Sequence, residues 1–314
     1  MANNAEKRSR KAASSIEGFL EGLKRCHYIA DRPLATILYL AQAMEKPLFL
    51  EGEPGVGKTA VALAVAELLS TDLIRLQCYE GLDASAALYE WNYPKQILRI
   101  RLEETGDKSP SEIGETIFSS EYLMKRPLFE AIQHEAATRP VLLIDELDRA
   151  DEEFEAFLLE VLSDFQITIP EIGTIKATKT PFAVITSNRT REIHDALKRR
   201  CLYHWIDYPS YEKELEIVTT RVPGVPERLA EQVCYFMARL REEDFIKRPG
   251  ISETIDWATA LMALNREVLD EETVKETLGC VFKHHEDLHR FQREIWTQAQ
   301  RREEYLPEWS PSTS

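Results

Sequence analysis

The stretch Gly52-Glu53-Pro54-Gly55-Val56-Gly57-Lys58-Thr59 decides how the rest of the chain is read. It has the form G-x-x-x-x-G-K-[ST]. Its glycines let the backbone curl until successive N–H groups point at one spot, which suits the oxygens of a phosphate. Leu48-Phe49-Leu50 before it reads as a buried strand. Thr59–Leu69 after it is apolar on nearly every face, as a buried helix is. The N-terminus of that helix adds its positive dipole end. In this reading Gly52, Glu53, Pro54, Gly55, Val56 and Gly57 line the phosphates of a nucleotide. Lys58 reaches the β- and γ-phosphates, and the Thr59 hydroxyl sits on Mg²⁺. A chance loop is the alternative, and the flanking strand and helix weigh against it.

Further along, Val141-Leu142-Leu143-Ile144-Asp145-Glu146 is an apolar strand ending in two carboxylates. Such pairs commonly cap the next helix. In a chain with a phosphate loop, Asp145 instead holds Mg²⁺ through water, and Glu146 orients and deprotonates an attacking water. Phe182–Thr186 is another core strand and leads into Ser187-Asn188. Asn188 is either a turn residue or an amide that holds the attacking water near the γ-phosphate. Ala196-Leu197-Lys198-Arg199-Arg200-Cys201 then sets two arginines ahead of the strand Leu202–Ile206. They are a solvated basic turn, or one of them stabilises charge on a neighbouring subunit's γ-phosphate.

Working outward, Ser14-x-x-Glu17 has the pattern of a capping box, and Ile16, Phe19, Leu20 and Leu23 follow at helical spacing. Pro33–Glu45 fits a second helix with Pro33 at its first position. Leu73–Gln77 is a short strand. Residues 79–127 are irregular and read as a helical insertion with loops, the polar loop Glu103–Ser111 among them. Phe129–Thr138 returns to helix. Phe154, Phe157, Leu158, Val161 and Leu162 mark an amphipathic helix, and Ile167, Ile169, Ile172 and Ile175 around Gly173 mark a β-hairpin over about 166–180. From Ser210 on, helices are expected at 211–221, 226–243, 252–267 and 271–300. The expected organisation is a disordered basic tail over 1–13, an α/β nucleotide-binding domain over 14–208 and a helical domain over 209–300. A tail covers 301–314, rich in Pro and Ser from Pro307.

Fifty-four acidic against 39 basic residues give a net charge of −15, which argues against nucleic acid as the main partner. The chain is 44% hydrophobic and 30% charged, an ordinary globular balance. No apolar run has bilayer length, and Lys7, Arg8, Arg10 and Lys11 precede no signal-peptide core. Five scattered cysteines fit a reducing, cytoplasmic compartment. Weak attraction of the basic tail to the inner face of a membrane is the alternative to a purely cytoplasmic location. Cys280, His284, His285 and His289 have helical spacing suited to a metal, though charged, His-containing helix faces are usually just solvated.

These elements, in this order, resemble an AAA+ ATPase: a P-loop core with a parallel sheet flanked by helices, then a small all-helical lid. The resemblance covers roughly residues 30–290. Leu50–Thr59, Ile144–Ala150 (IDELDRA), the hairpin 166–180 and Thr186–Asn188 are similar to the MoxR group. Within it, Gln77–Tyr93, Asp145–Ile172 and Thr186–Pro209 are similar to CoxD-type proteins, accessory ATPases implicated in maturing molybdenum–copper carbon monoxide dehydrogenase. The resemblance implies ATP and Mg²⁺ as cofactors and a homo-oligomeric ring, usually of six subunits. It implies Arg200 as the arginine finger, with Arg199 second. A partner with a von Willebrand A-type domain and a metalloenzyme client follow from it as well, with the insertion and hairpin facing the pore or the partner. In the group an arginine follows a Ser-Pro at the start of the third lid helix and contacts the nucleotide. Here that place reads Ile251-Ser252-Glu253-Thr254-Ile255. The contact is then lost or comes from Arg248 or Lys247, and the role does not pass to Thr254. Other metalloenzymes or gas-vesicle proteins as clients, a DNA-directed motor, and a non-hydrolysing scaffold are the rival readings.

Overall fold

The computed structural model describes residues 14–103, 117, 119–170 and 172–306. The expectations for residues 1–13, 104–111 and 307–314 lie outside the described residues. By contacts, the chain falls into two units. One comprises the residues through Cys26, Ala30–Gly52 and Thr59–Trp205. The other comprises His27–Ile29, Glu53–Lys58 and the residues from Ile206.

In the first unit, β1 (Leu48–Gly52), β2 (Leu73–Gln77), β5 (Val141–Asp145), β8 (Phe182–Ser187) and β9 (Leu202–Ile206) form one sheet in the order β2-β5-β8-β1-β9. The pairs β1–β8, β8–β5 and β5–β2 are parallel. Two helices, α1 (Ile16–Arg25) and α2 (Arg32–Met44), precede β1. Parallel strands need crossovers, and the later helices supply them: α3 (Lys58–Leu69), α6 (Pro127–Ile132), α7 (Glu152–Asp164) and α8 (Asp195–Lys198). Covered on both faces, β1, β5 and β8 are buried along their whole length, hence their unbroken apolar runs. The register Gln77↔Asp145, with Ile144↔Ile185 beside it, brings the polar ends of three strands to one edge.

Several local expectations shift. Ser15, not Ser14, caps α1, its hydroxyl accepting the Gly18 N–H at 3.0 Å. Asp31 caps α2 by accepting the Leu34 N–H at 2.9 Å, so Pro33 takes the second helical position, where its missing N–H costs nothing. The helix expected over Phe129–Thr138 begins at Pro127 and stops at Ile132. The insertion carries α4 (Ala84–Leu88) and α5 (Tyr93–Glu103), and also a small sheet that was not expected, β3 (Tyr89–Trp91) antiparallel to β4 (Leu123–Lys125). The hairpin is β6 (Gln166–Ile169) against β7 (Gly173–Lys176).

The second unit is helical: α9 (Tyr211–Arg221), α10 (Glu227–Glu242), α11 (Ile251–Ala263), α12 (Glu271–Val281), α13 (His285–Arg290) and α14 (Ala299–Tyr305). The long helix expected over 271–300 is broken after Val281 and contains a π turn at Phe291–Ile295, closed by the Trp296 N–H on the Phe291 carbonyl at 2.8 Å. Widening the turn lets Phe291, Ile295 and Trp296 all be buried, where Phe291, Trp296, Tyr305 and Trp257 surround Phe236. Among the described residues no helix is long and apolar enough to cross a membrane.

Candidate functional site

The acidic edge of the sheet is built around Asp145, which is 1% exposed. A buried carboxylate is tolerable only when its oxygens are satisfied. Thr59 Oγ1, in the first turn of α3, donates to it at 3.0 Å, and Thr186 Oγ1 at 2.6 Å. The Arg75 guanidinium pairs with it at 2.6 Å. Glu146 follows in a left-handed conformation, φ +56°, with its N–H on Thr186 Oγ1 at 2.9 Å. One hydroxyl therefore fixes both carboxylate residues, and the backbone strain at Glu146 is held by that bond. The Glu146 carboxylate is partly exposed and accepts from Gln77 Nε2 at 3.2 Å and Arg149 Nε at 2.8 Å. The Cys78 thiol nearby is pushed up to about 12 by burial and then by the charges of Asp145, Asp148 and Glu146. The same negative potential favours a cation. The Thr59 hydroxyl and the Asp145 carboxylate are hard oxygen donors, so this pair fits Mg²⁺.

Asn188 follows β8. Its N–H donates to the Asp148 carboxylate at 3.1 Å, and its half-buried side-chain amide has no hydrogen bond among the described residues. Arg200 donates to the Leu159 carbonyl and to Ser163 Oγ within its own chain. Arg199 is exposed, and nothing among the described residues pairs with it. Ahead of them, Lys198 pairs at 3.0 Å with the buried Glu51 of β1, which also accepts from the Tyr203 hydroxyl at 2.9 Å.

The glycine loop groups with the helical unit. Gly55 and Gly57 have φ of +78° and +96°, a region that side chains disfavour. Lys58 is 6% exposed and donates its ammonium to the Glu53 carbonyl at 2.7 Å, closing the loop on itself. The Gly55 carbonyl accepts the N–H groups of Ile251 at 3.0 Å and Ser252 at 3.3 Å, at the start of α11. Gly250 makes this approach possible: a Cβ there would lie 2.8 Å from Gly55 Cα. Glu253 turns back to accept the Gly250 N–H at 2.9 Å. Thr254 is buried and bonded to Glu214 and Arg241, which form a buried ion pair. The segment where an arginine was looked for thus gives its backbone to the loop. Lys247 and Arg248 are exposed.

Thr186, Arg75, Asp148 and Gly250 were not singled out from the sequence. Asp148 stands inside the Ile144–Ala150 run (IDELDRA) and Thr186 begins the Thr186–Asn188 stretch, so only their partners were hidden. The rings of His285 and His289 are 5.2 Å apart, but among the described residues no group of three His, Cys, Asp or Glu is placed to hold a metal. All five cysteines are free, with Cys78 and Cys234 buried.

The chain is 23% identical over 230 residues to YeaC, an uncharacterized protein of Bacillus subtilis strain 168, covering 69% of this chain. It spans 58% of that relative's length. Among solved structures, the Thermotoga maritima RuvB Holliday junction branch migration motor is 18% identical, over 90% of this chain and 76% of that one, at a TM-score of 0.45. A Cytophaga hutchinsonii protein carrying an ATPase assignment is 16% identical, over 94% and 96%, at 0.46. The model of the ATPase family associated with various cellular activities (AAA) matches residues 48–206, slightly more than half of the chain. That match takes in the glycine loop, the acidic strand and the strand before Asn188, and the chain belongs to this family.

Proposed function

We propose that the chain hydrolyses ATP and uses the cycle to remodel a metalloenzyme, as a MoxR-type ATPase of the cytoplasm. The observation that carries hydrolysis is Glu146, a partly exposed carboxylate next to the buried Asp145–Thr59 pair and fixed through Thr186. Gly52–Gly57 and Lys58 bind the phosphates, with the loop amides as donors and the ammonium as counter-charge. Thr59 and Asp145 hold Mg²⁺, which when bound supplies positive charge against the phosphate oxygens. Glu146 takes the proton of the attacking water as its oxygen approaches phosphorus. Asn188 donates its side-chain amide to that water. Arg200 or Arg199, from an adjacent copy in a six-membered ring, meets charge developing on the transferred phosphoryl group. Arg200 would first have to leave Leu159 and Ser163, whereas Arg199 has no such bonds to break.

Support for the client comes from the CoxD-like wording of three stretches, which points to maturation of a molybdenum–copper carbon monoxide dehydrogenase. Support for a protein client of some kind comes from the insertion, where Tyr93, Ile97, Leu98 and Leu102 are exposed on α5. A von Willebrand A-type partner belongs to the same reading. The first test is biochemical: Glu146→Gln keeps ATP binding and loses most phosphate release, while Lys58→Ala loses binding. Normal turnover in Glu146→Gln refutes the assignment of the base. The second is cellular. Dehydrogenase purified from cells carrying Lys58→Ala should be normal in amount but poor in sulfide, copper and turnover. A fully loaded enzyme would turn attention to another metalloenzyme or a gas-vesicle client. Strong stimulation of phosphate release by duplex DNA would favour a DNA-directed motor instead.

A further inference from the structure

The third acidic residue of the Asp145–Asp148 run has no place in the reaction just described. Asp148 lies in the one-turn segment Leu147–Arg149 after the acidic pair and is 4% exposed. Its carboxylate meets the loop that follows β8. It accepts the Asn188 N–H at 3.1 Å, the Thr190 N–H at 3.0 Å and the Thr190 hydroxyl at 2.6 Å. Between these residues, Arg189 adopts a left-handed conformation, φ +57°, and donates its N–H to Ser187 Oγ at 3.0 Å. A left-handed residue between two others curls the backbone so that its N–H groups converge on an anion. Here the anion is a side chain of the same protein. Burial alone would raise the Asp148 carboxyl. The hydrogen bonds from Thr190 and Asn188 outweigh it and hold the group below its ordinary range, charged at neutral pH. Alongside, Arg191 donates to the Ala150 carbonyl at 2.9 Å, a second tie between the same two segments.

We propose that Asp148 is a positioning residue: it is the internal anion around which the 188–190 loop folds, and through that loop it sets where the Asn188 amide points. It is neither a metal ligand nor a base. Glu146 and Asn188 come from different strands, and the bond from the Asn188 N–H to Asp148 ties the turn after β5 to the loop after β8. The proposal rests on Asn188 acting on the attacking water.

A double-mutant cycle tests it. Asn188→Ala should lower turnover about a hundredfold. Asp148→Asn, which keeps size but replaces one acceptor oxygen by an NH2 donor, should lower it about tenfold at unchanged nucleotide affinity. In the Asn188→Ala background, Asp148→Asn should change turnover less than about twofold, because a residue acting only through Asn188 has nothing left to position. Thr190→Val, losing one of the three bonds, should fall between wild type and Asp148→Asn. Hydrogen exchange of the 187–191 segment gives a readout that needs no catalysis, and it should quicken in Asp148→Asn. A further tenfold loss in the Asn188→Ala background overturns the proposal, as does unaltered exchange. A wild-type chain that hydrolyses no ATP would refute the hydrolytic reading instead, and the exchange measurement would still decide whether Asp148 holds the loop.

Discussion

Gly250 lies 195 positions after Gly55 of the glycine loop, and replacing its hydrogen by a methyl group should damage nucleotide binding. A Cβ at Gly250 would sit 2.8 Å from Gly55 Cα and 2.9 Å from both the Gly55 carbonyl carbon and oxygen. Carbon atoms at rest stand about 3.5–4.0 Å apart, so the two backbones must separate by roughly 0.7 Å. All the atoms met are backbone, and none can rotate aside. The φ of −87° at Gly250 suits alanine, and on that ground alone Gly250→Ala would stabilise by about 0.4–1 kcal/mol. The clash is larger, at about 1–3 kcal/mol for overpacking. Separation by that distance also stretches the bonds from the Ile251 and Ser252 N–H groups to the Gly55 carbonyl, each contributing about 0.5–1.5 kcal/mol. The net cost is about 2–4 kcal/mol. If the loop is what yields, the loss appears in affinity, and about 3 kcal/mol corresponds to roughly a hundredfold. Gly279 in α12 is the control, since nothing lies within 4 Å of its added Cβ. Gly279→Ala should gain up to about 1 kcal/mol in urea unfolding and bind nucleotide normally. Titration with a fluorescent ATP analogue, paired with urea unfolding, separates a displaced loop from a destabilised helix. If Gly250→Ala matches Gly279→Ala in both measurements, the steric argument is wrong.

Two further outcomes are expected in the helical unit. Arg241→Leu leaves the fully buried Glu214 without its counter-ion and should cost about 3–5 kcal/mol, and replacing Glu214 by Leu as well should recover much of the loss; equal stability of the single and double variants would refute this. Asp270 caps α12, and the Thr273 N–H at 2.8 Å, together with the Thr273 side chain, holds its carboxyl below the ordinary 3.8. A depressed folded value means the stabilisation is complete above pH 3.8 and is lost as pH falls through the folded value. Asp270→Ala should therefore cost about 1 kcal/mol at pH 7, with the gap to wild type closing below pH 3.8; a constant gap at all pH values would contradict it.

The residues that announced themselves in the sequence are those whose role needs a local pattern. Gly55, Gly57 and Lys58 work through one continuous loop, and β1, β5 and β8 are apolar throughout because helices cover both faces of the sheet. The β3–β4 sheet left no such trace, since strands of three residues are too short to display a period of two. At α1 and α2 the composition was right and the register moved by one residue. At α1, Ser14 and Ser15 are chemically alike, and it is Ser15, with an extended backbone, that accepts the Gly18 N–H. At α2 the cap is Asp31, one residue further back than Pro33 at the first position would require. The bond from Gly55 to Ile251, the Arg75–Asp145 pair and the Asp148 clasp were hidden for another reason. Each joins residues 40 or more positions apart, and no spacing rule reaches that far. Arg75 in particular reads as a solvated strand residue until β2 is known to lie beside β5.

The strand order has a consequence for biosynthesis. β1 is flanked by β8 and β9 and by no earlier strand, and Glu51 is in register with Ser187. A ribosome has to add more than a hundred residues after Glu51 before the first partner of β1 exists. At about 5–20 residues per second this takes on the order of ten seconds. Throughout that interval Leu48-Phe49-Leu50 is an apolar segment with open hydrogen-bonding edges, a natural target for a holding chaperone. Fragments ending before Phe182 would keep every residue of the glycine loop and still lack the neighbour that fixes the strand it grows from.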